Sequence, residues 1–239
     1  VARRRVRRAA EAAPKRTARR RDGNVDGGPR VRRELQKKTV IAREQDRPDV
    51  AAKRRTFVVA QSALNPQRLV FVDEAGFRLG APPNYGWAPV GDKSLGKATH
   101  GDWCTMTMIG ALALDGWRGF VTIDAATDGD VFRAFVEQQL VGKLHAGELV
   151  VMDNLNAHKD TAAVRAIRAV GADVLFLPPY SPEYNPIEKA WAKLKDLLRR
   201  AHTITRDTFD SAVASAMAAI TASDIGGWTL HSGYALSSI

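Results

Sequence analysis

Hydrophobic and polar positions along the chain predict alternating strands and helices. Leu69-Val70-Phe71-Val72 is a run of apolar residues that stops at Asp73. Such a run, bounded by polar residues, predicts a buried strand. Thr105–Leu114 and Phe120–Asp124 are strand-like, with the turn residues Asp115-Gly116 between them. Residues 129–142 read as a helix, Glu148–Met152 as a short strand ending at Asp153, and His158–Val170 as a helix closed by Gly171. Val174–Leu177 is another strand, stopped by Pro178-Pro179. Residues 186–200 and 206–222 complete the pattern as two helices, and 76–102, rich in Gly and Pro, read as a loop or short hairpin. This order predicts an α/β fold, a mixed sheet flanked by helices.

Upstream of residue 69 the pattern weakens. Residues 31–66 look partly helical, and Asn65-Pro66 marks a break. Residues 1–30 are rich in Arg and Ala and are expected to be partly disordered, because like charges repel and the glycines discourage regular structure. The expected division is a basic arm or linker over 1–55, a folded α/β domain over 56–225 and a tail over 226–239.

Charge sharpens that division. The chain has 239 residues and a net charge of +10, but residues 1–55 carry 20 Lys+Arg against 7 Asp+Glu. The remainder is slightly acidic. Such an arm, with Arg3, Arg4 and Arg5 at its start, would bind a polyanion by displacing counterions. The alternative is a solvated tail without a partner. The hydrophobic fraction of 45% suffices for one substantial core. A single cysteine, Cys104, excludes an internal disulfide and a multi-cysteine zinc site. No apolar run is long enough to span a membrane, and no apolar stretch follows the N-terminal arginines as in a secretory signal. A cytoplasmic location is expected.

Three acids sit where chemistry is plausible. Asp73 and Asp153 each follow a short apolar strand, and the carboxyl ends of strands are where open α/β sheets bind ligands. Glu188 follows the stretch 178–186, which holds four prolines in nine residues and is stiff. Hard carboxylate oxygens suit Mg²⁺ or Mn²⁺, and two such ions can drive phosphodiester chemistry. Gathered acids repel, so this site would be destabilising without metal. Each acid also has a structural reading. Asp after a strand can be a turn former. Asn185-Pro186-Ile187-Glu188 can be a helix start, with Asn185 as N-cap and Glu188 as the acid of a capping box.

The segment Leu177-Pro-Pro-Tyr-Ser-Pro-Glu-Tyr-Asn-Pro-Ile-Glu-Lys-Ala-Trp-Ala-Lys-Leu-Lys195 resembles the third catalytic motif of mariner-like bacterial insertion-sequence transposases. Phe71-Val-Asp-Glu-Ala-Gly76 is similar to that family's first acidic motif, with Ala75 where the family often carries a hydroxyl. Val150-Val-Met-Asp-Asn154, followed by Ala157-His158-Lys159, is similar to the second. The 34 residues between Asp153 and Glu188 match the family spacing, and Tyr85-Gly-Trp-Ala-Pro-Val-Gly91 resembles a further family segment. The resemblance implies a ribonuclease-H-like fold with Asp73, Asp153 and Glu188 as catalytic residues and ligands of two Mg²⁺ or Mn²⁺ ions. It implies cleavage of double-stranded DNA at inverted-repeat ends. The freed 3′-hydroxyl then attacks target DNA, usually at TA, without a covalent protein–DNA intermediate. It further implies a homodimer and a bacterial, nucleoid-associated protein. The family usually carries helix-turn-helix modules before this domain, and residues 1–55 lack the periodicity for two of them. With Val1 as its first residue, the chain is expected to be a fragment, an alternative start or a frameshifted product. The rival reading is a catalytically silent DNA-binding relic, or a regulator of an intact transposase.

Other residues keep two readings. Asn154 and His158 could touch DNA or orient water, or His158 could simply open the next helix. Tyr180 and Tyr184 could stack on a base or pack within the loop. Lys189, Lys193 and Lys195 could meet phosphates or form a solvated helix face, with Lys189 the preferred contact. Glu74, next to Asp73 on a strand, should point the opposite way. Trp191, Leu194 and Leu198 share a helix face and should be core, as should Cys104.

Overall fold

The computed structural model describes residues 42–80, 104–155, 157–201 and 204–236. Within them, five strands form one mixed sheet. β1 (Leu69–Arg78), β2 (Thr105–Ala113) and β3 (Gly116–Ile123) pair antiparallel. β4 (Leu149–Met152) and β5 (Asp173–Phe176) extend the other side of β1 in parallel, giving the order β3-β2-β1-β4-β5. The hairpin between β2 and β3 turns at Asp115-Gly116, and Gly116 takes a φ of +134°, open to glycine but strained for other residues.

Six helices cover the sheet: α1 (Pro48–Gln61), α2 (Gly129–Phe135), α3 (Thr161–Ala169), α4 (Ile187–Arg200), α5 (Phe209–Ala218) and α6 (Ala222–His231). α2 continues through a π-helical turn, Val136–Leu140, and a 3-10 turn, Val141–Lys143. Asp160 caps α3 by accepting from the backbone N–H groups of Ala162 and Ala163, and Gly171, at φ +82°, follows its end. In α4, Ile187, Ala190, Trp191, Leu194 and Leu198 are buried, the helical spacing of a core-facing stripe.

The alternation of side chains along a strand divides the core in two. Leu69, Phe71, Ala75 and Phe77 pack with Ile187, Trp191, Leu194, Phe209, Val213 and Ile225 on one face. Val70 and Val72 pack with Phe132, Phe135, Leu140, Ala163 and Ile167 on the other. Asp73 shares the parity of the first set and Glu74 that of the second, so the neighbouring acids serve opposite faces.

Several expectations are corrected. Asp73 does not end its strand, because β1 runs on to Arg78 with Ala75 and Phe77 buried, a period-two pattern hidden behind two acids. The boundary at 55/56 falls inside α1, and the one at 225/226 falls inside α6. The expected tail includes Tyr234, whose side chain is fully buried, meets Phe71 edge-on at 5.2 Å and donates to the Tyr184 carbonyl at 2.8 Å. The expected helix over 206–222 is α5 followed by α6, whose capping box joins Thr221 and Asp224. Arg3, Arg4, Arg5 with the rest of the arm up to residue 41, and the Tyr85–Gly91 segment, lie outside the described residues.

Candidate active site

Asp73 stands in the middle of β1, opposite Gly110 of β2. A Cβ at Gly110 would come within 2.7 Å of the Trp191 ring and 2.9 Å of the Trp117 ring. Glycine therefore lets α4 settle on the sheet beside Asp73. The Asp73 side chain is only 8% exposed, and no side chain hydrogen-bonds it among the described residues. Its pKa is pushed up to about 8, first by burial and then by the charge of Glu188, with Glu74 and Asp153 adding to the effect.

Asp153 follows β4, and Val72 pairs with Met152, so the adjacent parallel strands bring the two aspartates side by side in register. Asp153 is held. Its carboxylate accepts from the Leu155 backbone N–H at 3.0 Å and lies 2.6 Å from His158 Nδ1. The other ring nitrogen of His158 lies 2.9 Å from Glu74 Oε2, and Phe132 packs against the ring at 4.6 Å. Burial works against a charge on His158, but the hydrogen bonds to Asp153 and Glu74 outweigh it and raise its pKa to about 10. A ring donating from both nitrogens is an imidazolium, so the unit is a buried carboxylate–imidazolium–carboxylate bridge.

Glu188 lies in the first turn of α4. Neither the N-cap nor a capping box explains it. The N-cap position is Pro186 with no side-chain cap bond, and the buried Oδ1 of Asn185 has no partner. The residue as a whole is exposed, yet protein around its carboxyl raises its pKa, opposed first by Lys195. Lys195 is half-buried seven residues on, two helical turns along the same face, where burial lowers its pKa and the charges of Glu188 and Asp73 hold it up.

These placements sort the remaining candidates. His158 is fully buried with both nitrogens engaged, so it has no free face for DNA; it holds Asp153 instead. Lys193 is paired with Asp224 at 2.6 Å, Lys189 is exposed, and Lys195 turns toward the acids. Tyr180 is 47% exposed, whereas Tyr184 stacks on Phe57 at 5.1 Å. Asn154 is half-buried beside Asp153. Cys104 is half-buried, its Sγ 3.4 Å from an Asp124 carboxylate oxygen. The Glu74–His158 bridge was missed; its only signal was the placement of Glu74 beside Asp73 and of His158 five residues after Asp153. Lys195 was readable from its seven-residue spacing.

The donor set suits a hard divalent cation in kind and in charge, for Asp73 is a buried acid with no hydrogen-bonding side-chain partner among the described residues, and the charges of Glu188 and Asp153 reach it from two other elements. As the side chains stand, no three His, Cys, Asp or Glu residues among the described ones close into a ligand cluster.

A mixed sheet of this order, with acids from β1, the end of β4 and the start of α4 on one side, defines a ribonuclease-H-like domain with a carboxylate site. The chain belongs to the DDE superfamily endonucleases, which it matches over residues 68–210. No curated protein matches it. Among solved structures, it is similar to Mos1 transposase in a paired-end complex with the left transposon end, at 13% identity and a TM-score of 0.69, covering 84% of this chain and 64% of that one. It is similar to the Mos1 mariner paired-end complex with Mn at 13% identity and a TM-score of 0.64, covering 83% of this chain and 65% of that one. Against the catalytic domain of Mos1 mariner transposase, identity is 12% and the TM-score 0.51, over 87% of this chain and 100% of that one. The chain thus spans a little under two thirds of the Mos1 chains in the paired-end complexes. Among the described residues, no helix is long and apolar enough to cross a membrane.

Proposed function

We propose that this chain is the catalytic part of a DNA transposase, cutting double-stranded DNA at transposon ends and joining the freed end to target DNA by divalent-ion-dependent phosphoryl transfer. The carrying observation is Asp73, a carboxylate buried at the centre of the sheet, whose proton affinity is raised first by that burial and then by the charge of Glu188, with Glu74 and Asp153 adding to it. Asp73, Asp153 and Glu188 are the residues that would hold Mg²⁺ or Mn²⁺. Two bound ions supply charge neutralisation of the phosphodiester and activation of the attacking oxygen. The protein contributes position. β1 and β4 set two carboxylates in register, His158 holds Asp153 in orientation, and α4 presents the third acid. Lys195, on the Glu188 face, adds positive charge where a phosphate would sit, a role better supported for it than for Lys189. Tyr180 and Asn154, both reachable from solvent, are candidate DNA contacts.

The reaction proceeds as two displacements at phosphorus. Water breaks the bond at the element's end and leaves a 3′-hydroxyl, which then attacks a target phosphodiester and releases the strand there. Insertion at TA, a homodimer joining two ends, and phosphate contacts from Arg3, Arg4 and Arg5 belong to this proposal. The likeness to Mos1, whose complexes contain a transposon end and Mn, supports it.

The test is cleavage of a labelled duplex by the purified chain with Mn²⁺, beside Asp153→Ala. Metal-dependent nicking that disappears in the variant is expected. Cleavage retained by Asp153→Ala defeats the assignment, and a folded wild type that binds DNA without cutting it favours the silent relic. Truncation of residues 1–30 should flatten the dependence of log affinity on log salt; an unchanged slope removes the arm from the DNA.

A further inference from the structure

The loop leading to Glu188 leaves the Tyr180 carbonyl to donors distant in sequence. Pro178, Pro179, Pro182 and Pro186 have no backbone N–H. Ser181 Oγ donates to the Pro179 carbonyl and the backbone N–H groups of Tyr184 and Asn185 to those of Ser181 and Pro182, but among the described residues no near neighbour donates to the Tyr180 carbonyl. Tyr180 sits at φ +56°, the only non-glycine residue with positive φ among the described ones, a conformation that persists only when its surroundings impose it. The missing donors come from more than 120 residues away. Gln45 Nε2 donates to the Tyr180 carbonyl at 2.6 Å, and Arg54 Nη1 donates to the same carbonyl at 3.2 Å and to Ser181 Oγ at 2.6 Å. The second Arg54 nitrogen pairs with the Glu183 carboxylate, and the guanidinium lies 5.3 Å from the centre of the Tyr184 ring. One turn further along α1, Phe57 stacks on that ring. Past the loop, the Glu188 backbone N–H donates to the Asn185 carbonyl, so the acid begins where the loop ends.

We infer that Arg54 is a positioning residue for the active site: its guanidinium holds the 178–186 loop, and through it sets where Glu188 enters. The inference rests on the nuclease reading for its consequence, though not for its geometry. A planar fork that meets a carbonyl, a hydroxyl and a carboxylate at once cannot be replaced by a lysine, which keeps the charge and loses the geometry. Arg54 touches no reacting atom, so its loss should lower kcat and weaken metal binding by more than it raises KM for DNA through Tyr180.

The experiment compares wild type, Arg54→Ala, Arg54→Lys and Arg55→Ala, an exposed neighbour. It reads amide exchange by peptide, Mn²⁺ binding by calorimetry, and cleavage kinetics. In Arg54→Ala, exchange over 180–188 should rise by about tenfold while β1 and β4 stay protected. Mn²⁺ affinity and kcat should each fall by about tenfold, with Arg54→Lys intermediate and Arg55→Ala like wild type. Should Arg54→Ala fail to fold, Arg54→Lys and Gln45→Ala carry the same comparison. Wild-type exchange over 180–188 in these variants overturns the inference, as does a kinetic effect confined to KM. A wild type that neither binds Mn²⁺ nor cuts DNA defeats the nuclease reading instead, and the brace then stands or falls on the exchange alone.

Discussion

Asp73 and Asp153 both follow a short apolar run, and adjacent parallel strands set them side by side. Their surroundings differ. Asp73 is 8% exposed, has no side-chain partner among the described residues and favours its proton up to about pH 8. The Asp153 side chain is 38% exposed and tethered to an imidazolium that is itself anchored by Glu74. One acid is therefore an electrostatic deficit awaiting a cation, and the other is fixed in advance. The difference follows from the alternation of side chains along β1. Asp73 faces the α4 side, where only acids and a half-buried lysine meet it, while Glu74 faces the α2 and α3 side and reaches His158.

Exchanging either acid for its amide sharpens this contrast most. Asp73→Asn and Asp153→Asn should both reduce DNA cleavage to background, yet move metal-free stability in opposite directions. Asp73→Asn should raise the melting temperature at pH 8 by removing a poorly solvated charge. Asp153→Asn should lower it by a few degrees, since the amide oxygen still accepts from His158 but the bond loses its charge assistance, a loss of roughly 1 kcal/mol. Equal shifts of the same sign would erase the distinction. Next in size is the tether. His158→Gln should weaken Mn²⁺ binding by about 10–100-fold, the usual effect of removing a group that orients a metal ligand. Unchanged affinity in a calorimetric titration would mean that Asp153 needs no support.

Gly110→Ala probes the support under both acids. A methyl within 2.7 Å of Trp191 forces α4 outward, at a cost of about 1–3 kcal/mol. A lower melting temperature with weaker Mn²⁺ binding is expected; a neutral effect would show that α4 does not depend on that close approach. The gentlest test is pH. Asp73 binds its proton more tightly folded than unfolded, so its stabilisation is complete below its ordinary value of 3.8 and is lost as pH rises through about 8. His158 shifts in the same direction, its contribution being complete below 6.5 and lost as pH rises through about 10. Metal-free protein should therefore melt at progressively lower temperature from pH 4 upward, and Asp73→Asn should flatten the lower part of that curve. A rising melting temperature across that window would reverse both assignments.

The sequence by itself determined the mixed α/β class, most strands to within a residue or two, and the helical stripe of α4. These depend on local periodicity and on breakers, which act within a few residues. It also marked Asp73, Asp153 and Glu188 as the candidate acids, through apolar runs and a proline-rich approach as well as family resemblance. Only the tertiary structure decided what surrounds them. That β1 continues through Glu74 to Arg78 depends on pairing with β2, which no local pattern states. That His158 is a buried bridge rather than a DNA contact depends on Glu74, 84 residues away. That the proline-rich loop is held by Arg54 depends on a helix more than 120 residues upstream, which supplies donors to the Tyr180 carbonyl and the Ser181 hydroxyl. Periodicity reports which face of an element is apolar; the partner of a polar group on that face is set by chain crossings distant in sequence, so it becomes visible only in the folded chain.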